Sequence, residues 1–225
     1  MRLKEKHKEI WKEAKPLLAK CRWWDLTHTR MSIGFMHQIM HDEDRGNYEE
    51  ILMPAIILHD VGWTVIGEEK NTSWGNKDLR IKHMAEGAKI ARRILEKVKY
   101  DIKLTEKIVN LVATHDDAYL GKPQTTIGEK LIRDADACFV LTGLSFWKDY
   151  HVKCVVKGEK MTPQEFLDKK VVGGSKRHTI TAQKITDQQI VARRKEIVDT
   201  SKTPLQRYKE LKASAEKANE EELGK

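Results

Sequence analysis

The chain has 225 residues, of which 40% are hydrophobic and 34% charged, so it is long enough to bury a core and is unlike a disordered polymer. No apolar run approaches the roughly 18 residues that a membrane-spanning helix needs, and the charged start MRLKEKHKEIWKEAK lacks the apolar segment of a signal peptide. We therefore expect a cytoplasmic protein that does not associate with membranes. The three cysteines show no CxxC spacing, which argues against a disulfide framework and against a Cys-rich zinc site.

The net charge of +8 comes largely from Lys and Arg near the N-terminus and in residues 169–225. A basic surface attracts phosphate-bearing partners by long-range electrostatics. A nucleic-acid partner is not favoured, because no recognised nucleic-acid motif accompanies the charge. Composition leaves the choice between a monomer and a homodimer open.

Apolar residues recur at helical spacing along almost the whole chain, which predicts an all-α fold without internal repeats. An apolar helix capped by Asn47 is expected to end near His59, and a later helix opens at Thr126, where Glu129 completes a capping box. The other predicted helices cover, in chain order, about residues 2–14, 27–41, 78–98, 105–115, 180–199 and 204–221, and a short helix is expected to start at TPQE, residues 162–165.

These helices predict a single domain over residues 1–225, with a compact core at about 20–147 and an appendage at about 150–225 whose helices pack back on the core. A loop rich in Gly, Asn and Ser is expected at 67–77. Within the appendage, VKCVVKG is typical of a short strand and KKVVGGSKRH of an exposed turn or hairpin. About ten residues at the C-terminus are expected to fray.

Four histidines are expected to point toward the core. His28, His83 and His115 each share a helix face with aliphatic or aromatic residues, and His59 ends the most apolar helix of the chain. A single inward histidine is usually a core residue with one hydrogen-bond partner. Burying four imidazole rings without hydrogen-bond partners would cost several kcal/mol. A metal ion shared by the four rings would give all of them a partner, so we favour a metal site.

A carboxylate for this site can come from the stretch KLIRDADACFV, which places two aspartates in apolar surroundings. Asp134 and Asp136 lie about 200° apart on a helix, so only one of them can face the site. Periodicity leaves that choice open. Imidazole and carboxylate ligands without a thiolate suit Mn, Fe, Co, Ni or Zn, as one ion or two.

The order of these residues resembles the ligand signature of the HD-domain metal-dependent phosphohydrolase superfamily. The matching positions are His28 in LTHTRMS, His59-Asp60 in AIILHDVG and Asp136 in RDADAC. The resemblance covers about residues 20–147 and is similar in character to small stand-alone HD hydrolases. It implies an all-α helical bundle in which these four side chains bind a divalent metal, and it favours Asp136 over Asp134. His83 and His115 match positions that can complete a second metal site or act in catalysis.

The resemblance implies hydrolysis of a phosphoester or phosphoanhydride in a nucleotide or another small phosphorylated molecule, with Asp60 as a ligand that can also orient the attacking water. Many members carry a lysine three residues after the aspartate, where this chain has Trp63. Phosphate contacts must then come from other basic residues, and Trp63 could stack on a flat group or pack against the core. The candidates for phosphate contact are Arg30, Arg80, Lys82 and Arg133.

Two other functions fit the same residues. HD-fold diiron oxygenases use a similar set of six ligands with O₂ in place of water. A basic HD module could instead bind a nucleotide or nucleic acid without turnover, with the metal as a structural element.

Overall fold

The computed structural model describes residues 3–66, 76–174 and 177–224 and contains ten α-helices and no strand within these ranges. No helix in the described part of the chain is long and apolar enough to cross a bilayer. The all-α expectation is thus confirmed. The helices are α1 Glu5–Leu18, α2 Asp25–Asp42, α3 Glu49–Leu58, α4 Lys77–Lys97, α5 Ile102–Thr114, α6 Ile127–Ala137, α7 Gly143–Tyr150, α8 Pro163–Gly174, α9 Ile180–Val198 and α10 Pro204–Leu223.

Helix α3 lies at the centre of the bundle, where it packs against α1, α2, α5 and α6. All of its residues from Leu52 to Leu58 are buried, so it forms the inner wall on which its neighbours place their apolar faces. An α-helix that is apolar on every side needs such surroundings. The end of α3 therefore lies deep in the protein, and any polar group that follows it is buried too.

The capping signals fix several helix starts. Thr126 and Glu129 form the expected capping box of α6, and Thr203 caps α10 with Pro204 in the first turn. Asn47 lies instead in a short 3₁₀ turn before α3. Asn76 caps α4 through its side-chain oxygen, while residues 67–75 of the expected polar loop lie outside the described residues.

The expected β-hairpin is wrong. Residues 151–156, which include most of VKCVVKG, continue α7 as a π-helical turn, and residues 169–174 of the expected hairpin belong to α8. The valines and cysteine of this stretch follow α7 because Tyr150 packs on Phe166 of α8, with ring centroids 5.6 Å apart. This packing on the aromatic core overrides the local β preference. Ser175 and Lys176 of the expected turn lie outside the described residues.

Helices α9 and α10 pack back on the core as predicted, with α9 against α2 and α10 against α2 and α7. The C-terminal tail is not frayed within the described residues, because α10 is held at its far end by α1. Trp11 Nε1 donates to Glu222 Oε1 at 2.9 Å, and Lys15 Nζ donates to the carbonyl of Glu222 at 2.8 Å. These two hydrogen bonds from α1 to Glu222 compensate for the conformational entropy that the C-terminal residues lose when they are ordered.

Candidate metal centre

Six polar side chains converge at one end of the bundle, where α3 ends. All are buried or nearly so, and each comes from a different place along the chain except one adjacent pair. They are His28 of α2, His59 and Asp60 directly after α3, His83 of α4, His115 directly after α5, and Asp136 of α6.

The first half of the cluster joins α2, α3 and α6. The Nε2 atoms of His28 and His59 lie 2.9 Å apart. Asp136 Oδ1 lies 3.2 Å from His28 Nε2 and 3.8 Å from His59 Nε2. Asp60 Oδ2 lies 3.3 Å from His28 Nε2, so two carboxylates and two imidazoles surround one point.

The second half joins α4 and α5 through the other oxygen of the same aspartate. The Nε2 atoms of His83 and His115 lie 3.1 Å apart. Asp60 Oδ1 lies 3.7 Å from His83 Nε2 and 3.6 Å from His115 Nε2. Asp116 adds a further carboxylate, with Oδ2 3.6 Å from His83 Nε2. Asp60 therefore lies between two histidine pairs and presents one oxygen to each.

Two of the histidines are oriented by backbone carbonyls. The Nδ1 atom of His59 lies 2.8 Å from the carbonyl of Ile56, and that of His115 lies 2.8 Å from the carbonyl of Val112. A carbonyl oxygen can only accept, so Nδ1 carries the proton in both rings. Each ring thus directs Nε2 into the cluster, which is the orientation that outer hydrogen bonds give to metal-binding histidines.

The electrostatics of the cluster favour ionised carboxylates. Burial would raise the pKa of Asp60 and Asp136, but the neighbouring histidines hold both pKa values well below their usual range. Burial lowers the pKa of His83 to about 3, helped by the nearby charge of His115. Burial also opposes the charging of His115, yet its hydrogen bond to Asp60 and the charge of Asp116 raise its pKa to about 9. Anionic oxygens at the centre of a ring of imidazoles are suited to a cation.

The donor set fits divalent metal. His28, His59 and Asp60 form one group of ligand atoms within 4.8 Å of one another, and Asp60, His83 and His115 form a second. The Nε2 atoms within each histidine pair lie 2.9 and 3.1 Å apart, so both rings of a pair direct a donor atom to the same place. The two groups share Asp60, so the six side chains could hold one ion or two. Nitrogen and carboxylate donors without sulfur suit Mn, Fe, Co, Ni or Zn.

Asp136 and Asp134 have different surroundings. Asp134 points away from the histidines and accepts hydrogen bonds from the backbone N–H of His178 and of Thr179, at 2.9 and 2.8 Å. The hydroxyl of Thr179 donates to it as well, at 2.8 Å. Asp134 thus holds the N-terminus of α9, and Asp136 is the aspartate of this pair that lies in the cluster.

Trp63 and Gly62 secure the cluster from the side of the 3₁₀ turn that follows α3. The Trp63 ring stacks on His83 at 4.1 Å between centroids, and its Nε1 donates to Asp60 Oδ1 at 3.1 Å. Gly62 lies against the backbone of α4 at His83 and Gly87, where a Cβ would overlap backbone atoms. Glycine is required there by close backbone approach.

Among the basic residues expected near phosphate, two lie by the cluster and two do not. Arg80 pairs with Asp116 at 2.5 Å and lines the pocket, and Arg133 Nη1 lies 3.9 Å from Asp136 Oδ2. The Tyr119 ring lies between these arginines, 4.1 Å from one guanidinium and 4.4 Å from the other. Arg30 instead donates to the carbonyl of Ala218 on α10, and Lys82 is exposed beside His83 on another face of α4.

Sequence reasoning missed Arg22, which bonds two aspartates of the site. Its Nε donates to Asp25 Oδ1 at 2.9 Å, and its Nη2 lies 3.4 Å from Asp60 Oδ2. Its guanidinium also lies 4.3 Å from the centre of the Trp63 ring. Arg22 lies in CRWWD, six residues before His28. No helical periodicity connects this position to the metal-ligand candidates, so it carried no usable signal in the sequence. Asp116 carried a clearer signal, as the partner of His115 in a second His-Asp pair.

A pocket of about 330 Å³ opens over the cluster. This volume is in the range of small-molecule sites. Its lining joins the cluster to α7, to the turn after α7 and to α8, and four of these lining residues lie beyond the core predicted at about 20–147: Lys148, Asp149, Lys153 and Lys170. The lining residues outside the cluster are Arg22, Trp24, Trp63, Asn76, Leu79, Arg80, Asp116, Tyr119, Phe139, Val140, Ser145, Lys148, Asp149, Lys153 and Lys170.

Comparison with known proteins gives one positive finding. The family model described as HD domain matches residues 25–140, more than half of the 225-residue chain, and this range contains all six side chains of the cluster. It confirms the resemblance stated from the motifs. Neither the curated proteins nor the solved structures include a match.

Proposed function

Because the chain belongs to the HD-domain family, we propose that it is a metal-dependent phosphohydrolase that acts on a nucleotide or another small phosphorylated molecule. The observation that carries the proposal is the position of Asp60 between two histidine pairs at the floor of a pocket lined by arginines. Neither the family nor the cluster names the substrate, so its class comes from the charge of the pocket.

In this proposal His28, His59, Asp60 and Asp136 hold one divalent ion, and His83 and His115 hold a second together with Asp60. Bound metal supplies a Lewis acid and lowers the pKa of a coordinated water toward neutrality. The described side chains do the rest of the positioning.

Asp60 would orient the attacking water and accept its proton, since it presents one carboxylate oxygen to each histidine pair. Trp63 keeps Asp60 in place, since its Nε1 donates to Oδ1 and its ring packs on His83. We therefore assign Trp63 to positioning in preference to stacking on a base. Its ring already contacts His83 and the guanidinium of Arg22.

Arg80 neutralises charge on the phosphoryl group, because it lines the pocket and its partner Asp116 borders the second histidine pair. Arg133 supports this role from behind Tyr119. A fixed positive charge near the developing phosphoryl charge stabilises the transition state more than the ground state. Arg30 and Lys82 are not among the residues that line this pocket, so we assign them no part in phosphate binding.

The test is metal analysis of the purified protein together with release of phosphate and pyrophosphate from a nucleotide panel in the presence of Mn²⁺. We expect one or two ions per chain and turnover that falls by more than about a hundredfold in Asp60→Ala, because Asp60 belongs to both groups of candidate ligands. Asp42→Ala is the matched control, since Asp42 follows His41 in a third His-Asp pair that is exposed at the end of α2. It should retain full activity.

Other outcomes would replace the proposal. Full activity in Asp60→Ala would show that the cluster is not the catalytic site. Bound iron with oxygen consumption and no phosphate release would identify a diiron oxygenase. Bound metal without turnover, combined with salt-sensitive nucleic-acid binding, would identify a binding module.

A further inference from the structure

The first histidine pair of the metal centre has an aspartate of its own in addition to the shared Asp60. Asp136 Oδ1 lies 3.2 Å from His28 Nε2 and 3.8 Å from His59 Nε2. Asp60 Oδ2 lies at similar distances from the same two nitrogens, 3.3 and 3.7 Å. An ion at the first pair would therefore have two imidazoles and two carboxylates as candidate ligands.

Asp116 has a corresponding place at the second histidine pair. It follows directly after His115, and its Oδ2 lies 3.6 Å from His83 Nε2. The shared oxygen, Asp60 Oδ1, lies no closer to that nitrogen, at 3.7 Å. Asp116 is buried and lines the same pocket as Asp60. It is not one of the six side chains that the motif resemblance implies as ligands.

The spacing of the ligand atoms does not separate Asp116 from Asp136. Each of the two groups of ligand atoms within 4.8 Å of one another consists of Asp60 and one histidine pair, and neither group contains Asp136 or Asp116. The motif nevertheless names Asp136 as a ligand. An aspartate at the edge of such a group is therefore a reasonable candidate at the second pair as well.

Asp116 is held toward the second pair by two contacts with α4, the helix that carries His83. Its backbone N–H donates to Met84 Sδ at 3.4 Å, and its Oδ2 accepts from Arg80 Nη1 at 2.5 Å. Within the described part of the chain no donor contacts its other oxygen, Oδ1. A carboxylate has about four lone-pair sites, so one arginine hydrogen bond leaves Asp116 able to bind a cation.

The second pair has only part of Asp60 at its disposal. Asp60 Oδ1 accepts the N–H of Trp63 at 3.1 Å. The same oxygen faces His83 and His115, at 3.7 and 3.6 Å from their Nε2 atoms. One of its two lone pairs is therefore committed to Trp63. A second carboxylate would supply both the negative charge and the oxygen donor that a divalent transition metal favours beside two imidazoles.

From these contacts we propose that Asp116 is a ligand of the ion held by His83 and His115. Each histidine pair then has one aspartate of its own in addition to the shared Asp60. The inference rests on the proposed function, since that function places metal at the cluster. Arg80 is then fixed beside the second ion through its hydrogen bond to a ligand of that ion, where it can meet the charge of a phosphoryl group.

The experiment measures the number and affinity of Mn²⁺ ions bound by the metal-free full chain, by calorimetry and chelator competition without substrate. Asp116→Asn should lower the affinity for one ion by at least about tenfold, because even the loss of an outer partner of a ligand costs about 10–100-fold. The matched control is Asp117→Asn, since the next aspartate pairs with Lys122 at 3.0 Å and has no contact with the histidines. It should bind Mn²⁺ as the unmodified chain does.

Double variants show which ion depends on Asp116. In a His28→Asn background, which weakens the first site, Asp116→Asn should still lower the affinity for the remaining ion. In a His115→Asn background, which weakens the second site, it should have no further effect, because the interaction between two residues of one site is not additive. Far-UV circular dichroism and Tm in EDTA show that each variant is folded.

Unchanged affinity for every bound ion in Asp116→Asn would overturn the inference. So would a loss of equal size in Arg80→Met, which would show that Asp116 acts only by orienting that arginine, or an effect of Asp116→Asn that persists in the His115→Asn background. The same comparisons decide the matter if the unmodified chain binds a single ion.

Phosphate release from the nucleotide panel is measured separately on the same samples, so the two proposals can fail independently. An ion that depends on Asp116 in a chain that releases no phosphate would refute the hydrolase and leave the ligand assignment standing. Phosphate release by a chain whose ions do not depend on Asp116 would do the reverse.

Discussion

Gly62 gives the sharpest test of how the backbone forms the metal centre. In the structure a Cβ at this position would lie 2.6 Å from the backbone nitrogen of Gly87 and 2.8 Å from the carbonyl carbon of His83, and nearer still to the oxygen of that carbonyl. Real Cβ atoms essentially never come within 3.0 Å of such atoms. Gly62→Ala therefore has to separate the turn after α3 from α4 by roughly 1 Å.

Two consequences follow from this movement. Forced separation of packed backbone costs about 1–3 kcal/mol, as overpacking does in other cores. For a chain of this size that corresponds to a fall in Tm of roughly 2–12 °C. The movement also displaces His83 relative to His115 by a distance that can reduce turnover about a hundredfold. The site containing His28 and His59 is on the far side of Asp60 and should keep its metal.

The assay combines thermal unfolding in EDTA, metal content and phosphate release. Gly87→Ala is the matched control, because its Cβ would enter the same interface from the other side but at 3.4 Å from Gly62 N and from Val112 Cγ1. As an alanine within a helix it should be neutral or stabilise α4 by up to about 0.8 kcal/mol. A Gly62→Ala protein with unchanged Tm and unchanged metal content would refute the reasoning.

Three further predictions concern single side chains. Burial lowers the pKa of His7 to about 4, so between about pH 6.5 and 4 the unfolded chain binds a proton that the folded chain does not. The free energy of unfolding should therefore fall by on the order of 3 kcal/mol on acidification through this window. In His7→Leu, urea unfolding measured as a function of pH should lose this part of the pH dependence. Asp134→Ala should lower the free energy of unfolding by about 1–3 kcal/mol, because buried N–H groups at the start of α9 lose their acceptor, and it should leave the metal content unchanged. Asp136→Ala should instead lower the metal content and leave the free energy of unfolding nearly unchanged. Trp63→Phe keeps the ring on the cluster but removes the donor to Asp60, so metal affinity should fall by about 10–100-fold in chelator competition while Tm changes little.

The metal centre could be predicted largely because its ligands follow helical periodicity. His83 shares a buried face with Ile90 and Ile94, and His59 ends a helix that is buried on all sides. Such positions face the interior whatever the details of packing. The choice between Asp134 and Asp136 could not be made in this way. It depends on residues 178 and 179, more than 40 positions away, whose backbone N–H groups bind Asp134.

Two other features were missed or wrongly predicted from the sequence because they depend on tertiary contacts. Arg22 has no periodic relation to the ligands and reaches Asp60 only because α2 begins three residues later, at Asp25, and turns its first carboxylate toward the arginine. The segment 151–156 has β-branched residues that favour a strand by themselves. It follows α7 as a π-helical turn because Tyr150 and Phe166 pack together on either side of it. Local preference is a weak guide where a neighbouring core decides.

We propose that residues 1–225 form a single domain, and the same contacts support this proposal. Asp134 is a buried carboxylate of the region matched by the family model, and its partners all belong to the start of α9. Without α9 this carboxylate would lose the three hydrogen bonds that hold it in place. The pocket has the same dependence, since its floor comes from the matched region and its lining lysines from α7, α8 and the turn between them. We therefore propose that the HD region holds the metal centre and that residues of α7 and α8, which line the same pocket, take part in the choice of substrate.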